Sequence, residues 1–374
     1  MTTARRIVRS RSRAFLNALV SPPVADLHSL AVRALLLLLA ALLPGCVATG
    51  DAGAGRWYRH FLAVLEAPPG LGTRVVRAPF PCGELVASWN LDAPPGKAVV
   101  LELSVARGEG EWSPWLLVGS WGLDADEAEA LRGELPRRSM CSMGRVDVDT
   151  FVASRPIDRA RLRARPLHGS GAGVVLRRAA FCFTASSGGD PPGEPVPASV
   201  ALQLDVPFRS QRREDPALAS RVCSPTSLAM VLAFHGLRHA TAQVAARARD
   251  PLHGIYGNWS RAVQVAYSFG LPGYVTRFAD WGDVRRALAD GTPLIASVRA
   301  GAGQLGGAPF EETEGHLIVI RGLDAGGDVL VCDPAAATES AGRTHYARAD
   351  LERVWFQNRK GTAYVLGPTA RAGR

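Results

Sequence analysis

The segment RVCSPTSLAMVLAFHG, residues 221–236, sets a cysteine where a helix should begin. Pro225 suits a first helical turn, Leu228, Val231, Leu232 and His235 form a helical stripe, and Gly236 ends it. The first backbone N–H groups of a helix have no partner within the helix and carry the positive end of its dipole. A thiolate at Cys223 is stabilised there, so its pKa falls and it becomes a nucleophile near neutral pH. A nucleophilic thiolate needs a group that takes and returns a proton, and His316, opening the strand HLIVIRG (316–322), is of the right type. A hairpin joining this strand to DVLVCD (328–333), centred between Asp324 and Ala325, pairs Arg321 with Asp328, Val319 with Leu330 and Leu317 with Cys332. That register sets His316 opposite Asp333, with Cβ atoms about 4.5–5.5 Å apart. A carboxylate so placed fixes the imidazole tautomer and aims its other nitrogen at the nucleophile, whereas a one-residue slip sends the two side chains to opposite faces. The plainer alternative is a strand-edge histidine and a turn aspartate before Pro334. Acyl transfer also needs a donor for the developing oxyanion, and Gln211, twelve residues before Cys223, is the side-chain candidate, with the Cys223 backbone N–H as a second donor.

These residues must be positioned by the elements around them. Helices are expected over 225–236, 241–249, 258–270 and 280–291, and strands over 202–208, 293–298, 316–322, 328–333 and 362–366. Helices first and an antiparallel sheet afterwards is an α+β layout for residues 200–367. Residues 55–185 follow another grammar: short strands at 85–91, 98–106, 115–121, 149–154, 159–167 and 173–186, split by Pro/Gly turns, which predicts an all-β sandwich. Five tryptophans fall in this half, Trp57, Trp89, Trp112, Trp115 and Trp121; they suit a sandwich core and its rim, or else a stacking platform for a glycan. Between the halves, SSGGDPPGEPVPAS (186–199) has no periodicity and is expected to be a linker.

The 374 residues carry a net charge of +9, but six arginines at positions 5–33 face Asp26 alone, so much of that charge sits at the front. No basic stripe with interleaved aromatics is present, which argues against nucleic acid as a partner. A basic lead, the apolar run Leu35–Leu43 and small residues have the layout of a secretory leader over 1–45. The run ends in Leu43-Pro44-Gly45-Cys46, which resembles the bacterial lipobox except at Pro44, so Cys46 is expected to carry a lipid anchoring an exported chain to the cell envelope membrane. The remaining cysteines number five, leaving a disulfide among Cys82, Cys141 and Cys182 open. No zinc-type spacing occurs and no cofactor is expected. Glu311, Glu312 and Glu314 read as a solvated acidic loop, and GAGQLGG (301–307) lacks the lysine and following helix of a phosphate loop.

Taken in order, LDVPFRSQ, RVCSPTSLAMVLAFHG, GHLIVIRG and VCDPAA resemble the papain-like cysteine peptidases related to the bacteriocin double-glycine leader peptidases, in particular their stand-alone peptidase-like members. The resemblance spans roughly residues 200–367. It implies a papain-like peptidase domain with Cys223 as nucleophile, His316 as general base and acid, Asp333 as orienting group, Gln211 as oxyanion donor, and a peptide or protein substrate. HYARADLERVW (345–355) resembles the family's closing helix and tryptophan. Ser224 stands where the family usually has glycine, so a side chain would border the oxyanion site. Two classes of function follow: an exported thiol hydrolase acting on a peptide or related amide, or an inert envelope binding lipoprotein on the same fold, its partner a glycan or a protein.

Overall fold

The computed structural model describes residues 57–68, 70–189 and 201–367. The leader, Cys46 and most of the expected linker lie outside the described residues. Two antiparallel sheets organise the rest.

The first sheet holds β1 (Tyr58–Glu66), β2 (Val76–Asp92), β3 (Val99–Ala106), β4 (Leu116–Trp121), the hairpin β5 (Met140–Cys141) and β6 (Gly144–Asp147), β7 (Thr150–Pro166) and β8 (Val175–Gly188). Its order is β1-β8-β2-β7-β3-β4, with β6 added on β7. This is one continuous eight-stranded sheet, where the sequence predicted two stacked sheets. The reason is length: β2 and β7 each run 17 residues, β7 passing through Pro156 and joining segments read as separate strands. Leu65 on one edge strand and Leu116 and Val118 on the other share a core with Trp89, Leu101 and Phe181, so the sheet curls over its own inner face. Gly119 makes room for this core, because a Cβ there would lie 2.3 Å from the Trp89 ring. A helix the sequence reading passes over, α1 (Ala125–Arg138), is held by a reciprocal cap between Asp124 and Glu127 and covers Val100 and Leu117 with Ala128 and Leu131. Strand β8 runs on to Gly188, past the expected start of the linker at 186.

The structure bears on two points that the sequence leaves open. Cys82, Cys141 and Cys182 are all free thiols. Cys82 points into the inner core and Cys182 to the other face of the sheet, so alternation along the strands separates them. Trp89 is fully buried, but the exposed sides of Trp112 and Trp115 are covered by Arg159, Arg161 and Arg163, whose guanidinium carbons lie 4.1 to 5.3 Å from the ring centres. Those cation–π contacts occupy the faces a sugar ring would need.

The second sheet, ordered β10-β15-β11-β12-β13-β14, comprises β10 (Gly273–Arg277), β11 (Leu294–Ala300), β12 (Thr313–Leu323), β13 (Val329–Cys332), β14 (Arg343–Tyr346) and β15 (Thr362–Leu366). A two-residue strand β9 (Leu202–Gln203) pairs with β12, shorter than the expected 202–208 because the chain turns into Pro207, which has no N–H to donate. Helices α2 (Cys223–Phe234), α3 (Thr241–Ala248) and α4 (Trp259–Ser268) pack on one face, and α5 (Trp281–Ala289) connects β10 to β11. The expected closing helix over 345–355 is split: 343–346 is β14, and a short helix (Arg348–Leu351) runs into a π-helical turn carrying the buried Trp355.

The two sheets belong to one compact unit, Gly55–Arg374. The outer face of β2 is polar and buried. Ser88 Oγ accepts from Val275 N at 3.0 Å, Asn90 Oδ1 accepts from Gly273 N at 3.1 Å, Ser260 Oγ donates to the Ala87 carbonyl, and Gln264 caps both backbone groups of Leu91 at 2.8 Å. Ser88, Asn90 and the backbone of Ala87 and Leu91 thus find partners on α4 or β10.

Candidate active site

Cys223 is the first residue of α2, and Val222 before it supplies no side-chain cap. The free N–H groups of the first turn are therefore open to the thiol, and the backbone N–H of Ser224 and Leu317 and the His316 side chain are the groups near it that favour its charged form. Ser227, one turn on, donates Oγ to the Leu317 carbonyl at 3.0 Å. That bond ties helix α2 to strand β12 one residue beyond His316 and holds the thiol and the imidazole on neighbouring elements.

His316 is buried, and its Nε2 lies 2.7 Å from Asp333 Oδ1. Nε2 being engaged, Nδ1 is the nitrogen left for the thiol. Phe310 stands edge-on to the imidazole, ring centres 5.0 Å apart. Asp333 has no solvent exposure; Tyr346 donates its hydroxyl to Oδ2 at 2.6 Å and Ala335 N donates to Oδ1 at 2.9 Å.

The route to this contact differs from the register expected. Strand β13 pairs Val319 with Cys332 and Ile320 with Val331, two residues off the predicted pairing, and then Gly322 with Leu330 after a bulge at Arg321. The turn spans Asp324–Asp328, closed by Gly327 N on the Asp324 carbonyl, and lies further along the chain than its charge pattern suggests. Arg321 does not reach Asp328 but donates Nε to the Val331 carbonyl. Gly322 is required next to the bulge, since a Cβ would sit 2.2 Å from the Leu202 carbonyl of β9. On the His316 side of the bulge the shift is two, which preserves side-chain facing, so His316 and Asp333 meet diagonally instead of directly across.

The charges are coupled. Burial alone would raise the Cys223 pKa, but the hydrogen bond and positive charge of His316, with the two backbone donors, hold it below its ordinary value. Burial would likewise lower that of His316, and the Asp333 carboxylate and the sulfur more than offset this, so the imidazole keeps its proton well above the usual histidine range. Asp333, despite burial, is held below the usual carboxylate range by His316, Tyr346 and Ala335 N. The arrangement stabilises a thiolate beside an imidazolium.

Gln211 is buried; Nε2 donates to the Ala219 carbonyl at 2.8 Å, and Oε1 is buried with no hydrogen-bond partner. Ser224 turns its side chain into the core, with Oγ 3.2 Å from the Tyr364 hydroxyl, both residues fully buried. A cleft of about 580 Å³ opens at Cys223, lined by Ser220, Tyr256, Trp259, Gly315 and Asn358 and by residues of the first sheet. Among the described residues no His/Cys/Asp/Glu group could hold a metal.

Tyr346, Ser227 and Phe310 are the site residues that sequence reasoning missed. A serine four residues after Cys223 lies on the same helix face, a signal that was readable; Tyr346 and Phe310 reach the site from loops and edges with no local pattern.

Residues 203–363 match the model of the Peptidase_C39 like family, and residues 71–184 match that of the Peptidase C39 N-terminal domain. Among solved structures, a double glycine motif protease from an AMS/PCAT transporter, crystallised with its leader peptide, is 21% identical with a TM-score of 0.32, covering 46% of this chain and 100% of its own. The peptidase domain of Streptococcus ComA, a bifunctional ABC transporter, is 19% identical with a TM-score of 0.30, covering 40% of this chain and 93% of its own. No curated protein matches the chain in sequence.

Proposed function

We propose, for a chain whose residues 203–363 are a Peptidase_C39-like domain and whose residues 71–184 are that family's N-terminal domain, that it is a cysteine peptidase cleaving a peptide or related amide bond. The observation that carries this is the single imidazole between the Cys223 thiol, which lines an open cleft, and the Asp333 carboxylate, the latter at 2.7 Å. The Cys223 thiolate attacks the scissile carbonyl carbon. The oxyanion is taken by the Cys223 backbone N–H and by the second N–H of Gln211 Nε2, the first being held on Ala219. His316 passes its proton to the leaving amine and then removes one from the water that attacks the thioester, releasing the acid and restoring the pair. Asp333 stays ionised throughout and keeps the imidazole oriented. The inward turn of Ser224 onto Tyr364 favours this reading over an inert fold, since it keeps the extra side chain away from the thiol.

Export and a lipid on Cys46 belong to the same proposal and are supported by the leader pattern of residues 1–46 alone; a labelled fatty acid incorporated by the full chain and lost in Cys46→Ser checks them. Catalysis is tested by alkylating Cys223 with iodoacetamide across pH and by assaying Cys223→Ala on peptide substrates. Alkylation well below the ordinary thiol pKa of about 8.5, with hydrolysis lost in the variant, is the expected result. An ordinary thiol profile with hydrolysis unchanged overturns it in favour of a binding protein.

A further inference from the structure

The cleft at Cys223 is built from both sheets. The peptidase domain contributes the thiol, the loop at 255–257 and Asn358, and the first sheet contributes Glu84 and the tip of the β6–β7 hairpin, Asp147 to Thr150. That tip is made at a conformational cost. Val148 has φ +58°, a left-handed backbone that a β-branched residue rarely adopts. Asp147 pairs with Thr150 across the turn, so the hairpin closes over two residues, one of them this valine. The next residue explains how it is held: Asp149 is buried and accepts from Trp259 N, at the start of α4, at 2.5 Å and from Thr150 Oγ1 at 3.2 Å. Strain of this kind persists only where surrounding contacts over-determine it.

The charges around the tip divide into satisfied and unsatisfied groups. Glu84 is neutralised by Arg277, at 2.9 Å, and by Lys360. Burial pushes the Asp149 carboxyl up to about 6, and its oxygens are spent on the hairpin and on α4. Arg221 gives Nη2 to the Gly254 carbonyl and lies over the Tyr256 ring, and Arg359 reaches the Glu314 carbonyl. Asp147 is exposed and makes no side-chain hydrogen bond or ion pair among the described residues, although it lines the cleft. Its charge acts on the His253 imidazole, but that ring is already bonded to Asp250 at 2.9 Å, so the Asp147 carboxylate keeps its hydrogen-bonding capacity for a cationic group on what binds.

Resting on the peptidase reading, we propose that the β6–β7 hairpin tip of the N-terminal domain is a specificity wall of the cleft, with Val148 limiting its width and Asp147 taking a lysine or arginine side chain of the bound peptide. The N-terminal domain is then part of substrate recognition rather than an appended module.

The test uses the full chain carrying Cys223→Ala and two fluorescent heptapeptide pools, randomised except for a central Lys in one and a central Glu in the other, with binding read by fluorescence anisotropy. The Lys pool is expected to bind about fivefold more tightly, as one favourable ion pair allows, with the difference shrinking as salt is raised. Asp147→Asn should erase the preference and Asp147→Lys should reverse it. Equal binding of the pools, a preference unchanged by both substitutions, or no binding of either pool overturns the proposal. Iodoacetamide labelling of the parent chain separates the two levels: an ordinary thiol profile sinks the catalytic reading while a Lys preference upholds the wall.

Discussion

Replacing Asp333 by asparagine removes one charge from the site and little else. Asparagine keeps an oxygen for His316 Nε2 and Ala335 N, and its amide can donate to the Tyr346 hydroxyl, so the 2.7, 2.9 and 2.6 Å contacts retain partners. What is lost is the anion under a buried imidazolium. A hydrogen bond to a charged group contributes about 1.5–3 kcal/mol net. At 1.36 kcal/mol per pKa unit, the imidazolium should give up its proton roughly one to two units lower in Asp333→Asn. The thiolate depends on that cation, so its own pKa rises. The assay is the second-order rate of Cys223 alkylation between pH 5 and 10, with peptide mapping to separate it from the other four described thiols, of which Cys82, Cys182 and Cys332 are buried. The wild type should alkylate well below the ordinary thiol range, and the variant should be about tenfold slower near pH 6, with the gap closing at alkaline pH. Superimposable profiles would show that the carboxylate does not poise the pair, and the coupling drawn from the geometry would be wrong.

Ser227→Ala should cost about 1–3 kcal/mol in urea unfolding, because it strands a buried carbonyl at Leu317, and should slow alkylation as α2 loosens from β12; unchanged alkylation would make the bond purely structural. Val148→Asn should raise stability by about 1 kcal/mol in thermal unfolding, since asparagine tolerates the left-handed backbone that valine resists; a loss of stability would mean that Val148 packing outweighs its strain. For pH dependence, the raised His316 pKa gives stability that is complete below the unfolded value near 6.5 and is lost as pH rises toward the folded value. The lowered Cys223 pKa gives stability complete above about 8.5 and lost as pH falls through its folded value, so the two offset in between and unfolding free energy should decline by up to about 1.4 kcal/mol per pH unit only above that range. Cys223→Ala should bring the onset of the decline down to near 6.5, and an identical pH profile for the variant would refute the pairing.

How far the site can be read from the chain depends on how local its causes are. Cys223 is legible because a helix start is a local event, written in Pro225 and the apolar stripe behind it. The His316–Asp333 contact is legible for a weaker reason. Side-chain facing depends only on whether the register is odd or even, so a pairing wrong by two residues still puts both groups on one face. The displaced turn sets the pairing three residues off, and the bulge at Arg321, beside the close approach of β9 to Gly322, brings it back to two; that approach is a tertiary contact with no trace in the hairpin's own residues. The curled sheet is lost for a related reason: Pro156 reads as a strand end, yet β7 passes through it because its neighbours hold both sides. Helix α1 is hard to read although Asp124 and Glu127 spell its cap, since its Pro136 and two-residue apolar stripe look like loop.

The least legible feature is the wall of the cleft. Nothing in Asp147-Val148-Asp149 marks a turn that valine favours, and the turn exists only because Asp149 reaches Trp259 N on the peptidase domain. The same dependence runs through the rest of the interface. Ser88 and Asn90 are polar residues on the outer face of β2 that are fully buried, and Gln264 is an almost fully buried amide of α4; each takes a hydrogen bond across to the other domain. Separating the domains would expose these groups to water at little cost, but apolar neighbours go with them: Val86 and Cys182 of the first sheet share a core with Val263, Val275 and Leu366. Polar matching gives the interface its register, and the apolar core gives it strength. The hairpin tip is therefore set against Cys223 by the register of a surface some distance away, and a change at Ser88 or Gln264 reaches the cleft through the position of β6 and β7 and not through the catalytic residues.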